Sequence, residues 1–337
     1  MPRKDYDEIK EKFGVFVSTW RNKKTELLDE VIDPEIVCYM SIVKAYTDGS
    51  QHSRSGVKNF IKDFPKSDVL HTRICNYVCR IHEQEAVQSA DIVIEALKFE
   101  KGNDKAKTFE GTAMLVNHWS KSENGWIMDE LRMDVCPHGG DLETFTEEWY
   151  FDEPLAKYHE GVHFPCIQGE CDSPWNRIPE AEDVLTEEEK IQEVFAKYNF
   201  GVDNLMFNHV DDVLSESLMA AMPPWGPMNK RHYLECLKFH RQKDRYWAHP
   251  VRVKKIEIKD DHAQLHLYRM AGHRQRNHPY VFTKENQNIE HACGRYILDF
   301  QKEDGEWKIC QWKYYLGVIE LGEYKDELYG ENEKQAN

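Results

Sequence analysis

The sequence lacks a long apolar run. No stretch approaches the roughly 18 uninterrupted apolar residues of a membrane-spanning helix, and the N-terminal sequence MPRKDYDEIK has no apolar core of a signal peptide. We therefore expect neither a membrane span nor secretion, and we expect the protein to be cytoplasmic.

Concentrated positive charge is also missing. Lysine and arginine number 44 against 60 acidic residues, giving a formal net charge of -16, and no dense Lys/Arg run occurs. Nucleic acids and anionic membranes are bound by concentrated cationic surfaces. The expected partners therefore include neither nucleic acid nor membrane.

The motifs of nucleotide and serine-hydrolase chemistry are absent as well. The sequence has no glycine-rich phosphate loop, no nucleophile elbow and no kinase signature. We expect no bound nucleotide and no cofactor. The nine cysteines are an odd number without a disulfide framework, which predicts reduced thiols that are mostly buried.

One stretch contains zinc-ligand types without a zinc-ligand pattern. The segment HEGVHFPCIQGEC places four such side chains close together: His159, His163, Cys166 and Cys171. Their spacing, H-x3-H-x2-C-x4-C, matches none of the strong zinc motifs. We expect no metal here, and a zinc site stays open as the alternative.

What the sequence does contain is one pattern repeated at a separation of about 180 residues. EEEKIQEVF corresponds to DYDEIKEKF, and GRYILDFQKEDGEWKICQWKYYLGV corresponds to GTAMLVNHWSKSENGWIMDELRMDV. A repeat of this length indicates a duplicated domain. We predict domains at residues 1–144 and 187–325, joined by a connector at 145–186 that contains four prolines.

Each half begins with helical periodicity and continues as strands. In the first half, helices are predicted within 5–30 and over 53–64, with the strand EIVCYMSIV between them and four strand-like segments after them. Helices followed by a run of antiparallel strands predict an α+β domain with its helices on one face of the sheet.

This order resembles the SnoaL-like family of the nuclear transport factor 2 superfamily. The resemblance rests on the helix, helix, strand, helix, sheet order, on a charged turn before Ala86 and Ala263, and on a last strand that begins at tryptophan. It implies two tandem cone-shaped, cystatin-like domains, each with three helices on a curved antiparallel sheet. The same fold houses scytalone dehydratase, ketosteroid isomerase and bile acid 7α-dehydratases. The resemblance therefore implies a cofactor-independent lyase or isomerase acting on a hydrophobic, steroid-like or polycyclic carbonyl compound.

The stretch IQEVFAKYNFGVDNLMFNHVDDVL, residues 191–214, contains the expected chemistry. It predicts a helix, a break at Gly201 and a second helix, with Tyr198 on the buried stripe and Asp203 just after the glycine.

The resemblance implies a dehydratase-type site in which a tyrosine and an aspartate meet a histidine. The matching residues in this sequence are Tyr198, Asp203 and His249. A histidine can remove a proton, a carboxylate can hold its tautomer, and a phenol can bind the substrate oxygen. His273 is the candidate second acid or base. Each residue also has a structural reading: Asp203 as a helix cap, Tyr198 as core, and His249 as a structural histidine.

The stretch SLMAAMPPWGPMNK, residues 217–230, suits the mouth of an apolar cavity, and equally a loop packed on the core. The expected substrate contacts are Met219, Met222 and Trp225. Arg132 and Lys313 each follow a tryptophan by six residues on a last strand. Lys313 is the candidate cation for a substrate carboxylate or oxyanion, and a solvated strand end is the alternative.

The first half has Phe16 and Arg21 where the second has Tyr198 and Asp203, although His71 keeps a strand position. We therefore expect the first domain to be non-catalytic and to pair with the second as an internal pseudo-dimer, with a homo-oligomer left open. The alternative function is a non-catalytic small-molecule binding or scaffolding protein. The sequence does not separate dehydration from isomerisation, and it does not name the substrate.

Overall fold

Two α+β units make up the part of the chain that the structure describes. The computed structural model describes residues 2–41, 52–62, 66–141, 144–145, 166–221, 226–243, 248–272 and 280–323. No helix within these ranges is long and apolar enough to cross a membrane.

The first unit contains helices and a five-stranded sheet. Its elements in chain order are α1 (Pro2–Asn22), a 3-10 helix (Thr25–Glu30), β1 (Ile32–Met40), α2 (Arg54–Lys62), β2 (Val69–His82), β3 (Glu85–Phe99), β4 (Ala106–Ser122) and β5 (Gly125–Gly140). The strand order in the sheet is β1-β5-β4-β3-β2. Two short helices, α3 (Gly169–Asp172) and α4 (Pro174–Arg177), follow it in the connecting segment.

The second unit has the same plan with one additional short strand. Its elements are α5 (Glu187–Asp203), α6 (Phe207–Val213), β6 (Leu214–Ala221), β7 (Pro227–Asn229), α7 (Lys230–Lys243), β8 (Val251–Lys259), β9 (His262–Arg269), β10 (Ile289–Glu303) and β11 (Glu306–Glu323). The strand order is β7-β6-β11-β10-β9-β8. Two sheets with helices packed against them confirm the α+β class.

The sheets differ from the expected all-antiparallel arrangement at one pairing each. In the first, β1 runs parallel to β5, and in the second, β6 runs parallel to β11. In both units the early strand pairs with the last strand, and a helix then connects it to the strand at the opposite edge. The other pairings between the long strands are antiparallel.

The helix α1 buries its apolar face against the first sheet. Its buried residues recur at spacings of three and four, as an amphipathic helix requires: Tyr6, Ile9, Phe13, Phe16 and Trp20. Each is at most 3% exposed. Full burial of a large apolar side chain stabilises a fold by about 1.5–3 kcal/mol, so this stripe anchors the first core.

The helix α5 packs against both units. It begins at a capping box in which Thr186 and Glu189 bond each other's backbone N–H groups. Phe195 and Tyr198 pack in the core of the second unit, whereas Ala196 and Phe200 pack against residues of the first sheet. One face of α5 therefore closes the second cone and the other contacts the outer face of the first sheet.

Candidate functional site

A buried aspartate and a buried histidine meet inside the second unit. Asp203 is the last residue of α5, and His249 stands two residues before β8. The Asp203 Oδ1 and His249 Nδ1 atoms are 2.5 Å apart, and the His249 backbone N–H donates to Asp203 Oδ2 at 2.9 Å. Two contacts to one carboxylate fix both the ring and the main chain of the histidine.

The structure places Asp203 by extending α5 through the predicted break. The expectation that Gly201 ends the helix is wrong, because α5 continues to Asp203. Gly201 allows close approach of the next segment instead: a Cβ there would lie 2.8 Å from the Met206 backbone oxygen and 2.9 Å from Val210 Cγ2. The chain turns after the helix at Leu205, which has a φ of 62°.

The capping alternative for Asp203 is also excluded by geometry. The residue at the N-cap of α6 is Met206, and no side chain makes a capping hydrogen bond there. The carboxylate of Asp203 bonds His249 instead. At a helix C-terminus the macrodipole disfavours negative charge, so the carboxylate depends on other groups for stabilisation.

Two buried arginines supply positive charge next to this pair. Arg241 is 1% exposed and donates from Nε to the Val202 carbonyl at 2.8 Å and from Nη2 to the Asp203 carbonyl at 2.9 Å. Arg269 is 6% exposed and donates from Nη2 to the Ala248 carbonyl at 3.3 Å. Arg241 therefore clamps the end of α5, and Arg269 holds the segment that leads into His249.

Burial favours the neutral forms of the pair. It raises the pKa of Asp203 to about 7, while Arg241 and Arg269 lower it. It also lowers the pKa of His249 well below its usual value, with Arg269 and Arg241 contributing in the same direction. A neutral imidazole at physiological pH is a group that can accept a proton.

The phenol of Tyr198 lies in the same interior but makes a different bond from the one expected. Its oxygen is 2.5 Å from the Tyr233 oxygen, and the two rings lie nearly parallel. The Tyr198 ring centroid lies 4.5 Å from that of Trp312. Tyr198 therefore has Tyr233, and not His249, as its hydrogen-bond partner.

Aromatic rings pack the interior around these groups. The neighbouring rings are Phe195, Tyr198, Tyr233, Tyr296, Trp312 and Tyr314. The Arg269 guanidinium reaches the hydroxyl oxygens of Tyr296 at 3.4 Å and Tyr314 at 3.5 Å. The site thus combines apolar ring faces with phenols, one carboxyl, one imidazole and a guanidinium.

Sequence reasoning missed the two arginines and three of the tyrosines. Tyr296 and Tyr314 carried a usable signal, because they occupy alternate, inward positions on β10 and β11 beside Leu298 and Trp312. Arg241 carried none, because the position looks like an exposed basic residue on a polar helix.

Two of the expected substrate contacts face away from this interior. Met219 is 49% exposed, between the buried Leu218 and Ala220. Lys313 is exposed between the buried Trp312 and Tyr314. Side chains alternate across a strand, so neither residue can join its buried neighbours, and the expectation for both is corrected. The other predicted residues lie outside the described residues: Met222, Trp225 and His273.

The first unit has no counterpart of His249 at the expected residue. Counted from the two hairpin turns, Ile74 and Val251 hold equivalent positions, because each pairs with the eighth residue of the following strand. Two residues earlier stand Thr72 and His249. β2 and β8 each contain one irregularity, after Cys75 and after Val253, so both strands keep the same register relative to their turns. The equivalent of His249 in the first unit is therefore Thr72 and not His71.

His71 points to the other face of β2. Its Nε2 atom lies 2.8 Å from the backbone oxygen of Gln287 in the second unit. Arg132, the other cation considered on a last strand, contacts Glu130 at 2.6 Å and the Cys166 carbonyl at 3.0 Å. Both side chains belong to contacts outside the first core.

The nine cysteines all have free thiols. Among the proposed zinc ligands, Cys166 is buried and Cys171 is exposed, and His159 and His163 lie outside the described residues. Within the described ranges, no group of three or more His, Cys, Asp or Glu side chains is arranged to hold a metal ion.

Solved structures of similar shape were found, each covering about two fifths of this chain. The Kfla4162 protein from Kribbella flavida has 16% identity and a TM-score of 0.32, over 39% of this chain and 90% of its own. An NTF2-like superfamily protein from Salmonella enterica has 16% identity and a TM-score of 0.31, over 43% and 96%. An NTF2-like protein from Cytophaga hutchinsonii has 14% identity and a TM-score of 0.28, over 40% and 100%. Values this low carry no conclusion about activity.

Sequence comparison finds a family match within the second unit. No curated protein matches the chain. A family model described as SnoaL-like domain matches residues 183–313, which run from just before α5 into β11 and contain Asp203, His249 and Arg269. This match identifies residues 183–313 of the second unit as a SnoaL-like domain.

Proposed function

We propose that the second unit catalyses cofactor-independent acid–base chemistry, as a dehydratase or an isomerase, on a hydrophobic carbonyl compound. The observation that carries the proposal is the buried His249–Asp203 pair, with its 2.5 Å contact, inside an interior that also holds phenols and Arg269. Burying each of these polar groups costs free energy, so packing alone does not explain their presence in the core.

The roles require the ionised form of Asp203, which predominates above its pKa of about 7. The carboxylate then accepts the proton on His249 Nδ1, so the second ring nitrogen, Nε2, is the base that accepts the α-proton of the substrate. Asp203 then stabilises the imidazolium. The Tyr198 and Tyr233 hydroxyls bind the carbonyl oxygen as it becomes an enolate.

Dehydration and isomerisation diverge after this step. In a dehydration, the C–O bond breaks, the imidazolium returns its proton to the leaving hydroxide, and water departs. In an isomerisation, the same proton returns to another carbon of the enolate.

The substrate class follows from the walls of the interior. Ring faces of Tyr198, Trp312 and Tyr296 suit apolar rings, so a steroid-like or polycyclic compound fits their chemistry. In this conformation the rings contact one another. Substrate entry therefore requires the rings to separate and the substrate oxygen to replace one phenol in the Tyr198–Tyr233 bond.

A second candidate function is favoured by that same packing. If the rings do not separate, the second unit binds no substrate in its interior, and the chain acts as a binding or scaffolding protein through its surfaces. The contact between the units supports an internal pseudo-dimer: Arg73 and Glu290 form an ion pair at 2.8 Å and are each 3% exposed in their side chains.

The test is incubation of the purified chain with a panel of steroid and polyketide carbonyl compounds. Mass spectrometry detects loss of one water, and ultraviolet absorbance detects a shift of a double bond without mass change. Turnover that disappears in Asp203→Asn, a change that preserves shape but removes the carboxylate, supports the proposal. Binding without turnover across the panel would leave the second candidate.

A further inference from the structure

The segment that contains His249 is held by a side chain of the first unit. Asn76, in β2, donates a hydrogen bond from Nδ2 to the His249 backbone carbonyl at 2.9 Å. The same nitrogen donates to Asp91 Oδ2, in β3, at 2.6 Å. Two side chains on the sheet of one unit therefore form a hydrogen-bonded chain to the proposed base of the other.

His249 depends on side chains for its backbone hydrogen bonds. It stands two residues before β8 and directly before Pro250, and the residue before a proline is restricted to extended conformations. Its N–H donates to Asp203 Oδ2 at 2.9 Å, and its carbonyl accepts from Asn76. Buried backbone groups require partners, so these two side chains together fix the main chain of His249.

The direction of the Asn76 amide is fixed by the groups that it contacts. A backbone carbonyl only accepts hydrogen bonds, so the amide nitrogen, and not the amide oxygen, faces His249. Asp91 takes the second N–H of that nitrogen. Burial and the nearby Asp203 raise the pKa of Asp91 to about 8. The neutral carboxyl still has a carbonyl oxygen that accepts from Asn76, so the arrangement is compatible with neutral pH.

The backbone of Asn76 has a conformation that the strand itself does not require. Its φ is 51°, at the irregularity of β2. The equivalent residue of β8, counted from the hairpin turns, is Val253, which also lies at an irregularity but has no positive φ. Asparagine is one of the few residues other than glycine that adopt this conformation. The left-handed turn is therefore specific to the first unit, and it accompanies the contact with His249.

The bond from Asn76 differs from the other contacts between the units. Two ion pairs also join them: Arg73 with Glu290 at 2.8 Å, and Arg80 with Glu193 at 3.0 Å. These pairs connect one side chain to another. The acceptor of the Asn76 bond is instead the main chain of the proposed base, so its loss changes the position of that base.

We propose that Asn76, oriented by Asp91, is a positioning residue for the base of the second unit. This role rests on the proposed function of the Asp203–His249 pair. Asp203 fixes the N–H and the ring of His249, and Asn76 fixes its carbonyl, so the direction of Nε2 is set from both units. The first unit, which lacks the pair, thereby completes the site of the second.

The first test is kinetic and uses Asn76→Gly. Glycine removes the amide but adopts a positive φ freely. On the substrate identified by the panel, kcat should fall about tenfold or more while KM changes less than about twofold, because a displaced base slows proton transfer and leaves the ring contacts with the substrate intact. An unchanged kcat would overturn the proposal.

Glu83→Gly is the matched control. Glu83 lies in the turn after β2, has a φ of 54° and is exposed. The substitution removes a side chain from a left-handed residue of the same hairpin without touching His249. Its kcat should equal that of the parent, and an equal loss in the two variants would refute a specific role for Asn76.

The second test is spectroscopic and needs no substrate. At about pH 8, above the Asp203 pKa of about 7, the His249 Nδ1 proton bound to Asp203 should give a low-field NMR signal in the full chain. Its absence in His249→Ala identifies the signal. Asn76→Gly should shift it and speed its exchange with water about tenfold, whereas Glu83→Gly should not. An unchanged signal, or faster exchange of amides throughout the second unit, would mean that Asn76 joins the units without placing the base.

Asp91→Leu tests the residue that orients the amide and serves if Asn76→Gly fails to fold. Leucine is of similar length but accepts no hydrogen bond, so the amide loses the contact that directs it. Both measurements should change in the same direction as in Asn76→Gly, with a smaller loss of kcat of about threefold. No change in either measurement would contradict the role of Asp91.

The two measurements separate this role from the proposed function. A parent that turns over no compound of the panel contradicts the proposed function, and the NMR comparison still decides whether Asn76 places His249. An active parent with an equally active Asn76→Gly variant contradicts the positioning role alone.

Discussion

The two units share a strand plan but differ in what their interiors contain. The first is packed with Phe13, Phe16 and Trp20, each 0% exposed, and its inward polar contact is the Asn117–Gln88 amide pair. The second holds Asp203, His249 and a buried arginine among phenols. The fold therefore does not require the Asp203–His249 pair, and its presence in the second unit supports the proposed acid–base chemistry.

The difference also shows how the polar interior is tolerated. Each charged group in the second unit has a partner that holds it: Asp203 has His249, and Arg241 has the carbonyls at the end of α5. Buried ion pairs often add little stability, so this network is better explained by function than by folding.

The largest expected effect is on turnover. His249→Ala should lower it by about a hundredfold to ten-thousandfold, the usual range for a positioned acid or base. His71→Ala should leave turnover nearly unchanged, because His71 contacts Gln287 at the interface and not a catalytic group. Steady-state kinetics on the substrate identified by the panel measures both variants. Equal losses of turnover would show that catalysis is not confined to the second unit.

The next effect concerns the turn that places Asp203. Gly201→Ala should destabilise the protein by about 1–3 kcal/mol, since the new Cβ would press against Met206 and Val210. Gly139→Ala in the first unit is the control, because nothing lies within 4 Å of a Cβ there. Urea denaturation gives both free energies of unfolding. If Gly201→Ala leaves the free energy of unfolding unchanged, α6 can move away from α5.

The pH dependence of stability compares the buried carboxyls with the buried histidines. Asp91 has a pKa of about 8 when folded and an ordinary value of 3.8, so the folded state binds more protons and loses stability as pH rises. The histidines with lowered pKa, such as His71 and His291, act oppositely, but only below their ordinary value of 6.5.

Between pH 6.5 and 8 only the carboxyls contribute. Asp91 alone should lower stability by roughly 2 kcal/mol over this range, and Asp91→Asn should remove that part of the slope. The remaining slope comes from the other buried carboxyls with raised pKa, Glu95, Glu110 and Asp203. Denaturation curves at several pH values test this, and a flat or rising dependence in the parent would contradict it.

The smallest expected effect comes from exchanging one hydroxyl between the units. Tyr198→Phe should cost about 1 kcal/mol, because Tyr233 loses its partner. Phe16→Tyr should cost at least as much, since Phe16 is 0% exposed among apolar side chains and the hydroxyl would need a new partner. Thermal unfolding measures the stability of both variants. Stabilisation by Phe16→Tyr would show that the first core can provide a hydrogen-bond partner for the new hydroxyl.

The sequence by itself determined the α+β class and the two similar units, because periodicity is local and the repeat recurs at long range. The pairing of Asp203 with His249 was implied by the resemblance to the SnoaL-like family. Periodicity also identified Tyr198 as buried, although it did not identify Tyr233 as its partner.

Only the tertiary structure decided the rest. The pairing of each hairpin makes Thr72 the equivalent of His249, and strand alternation puts Met219 and Lys313 on the outer face. The contacts of Arg241 with the end of α5 join segments that are far apart in the chain. A sequence records which side chains exist, but their register and their partners are fixed only when distant elements pack.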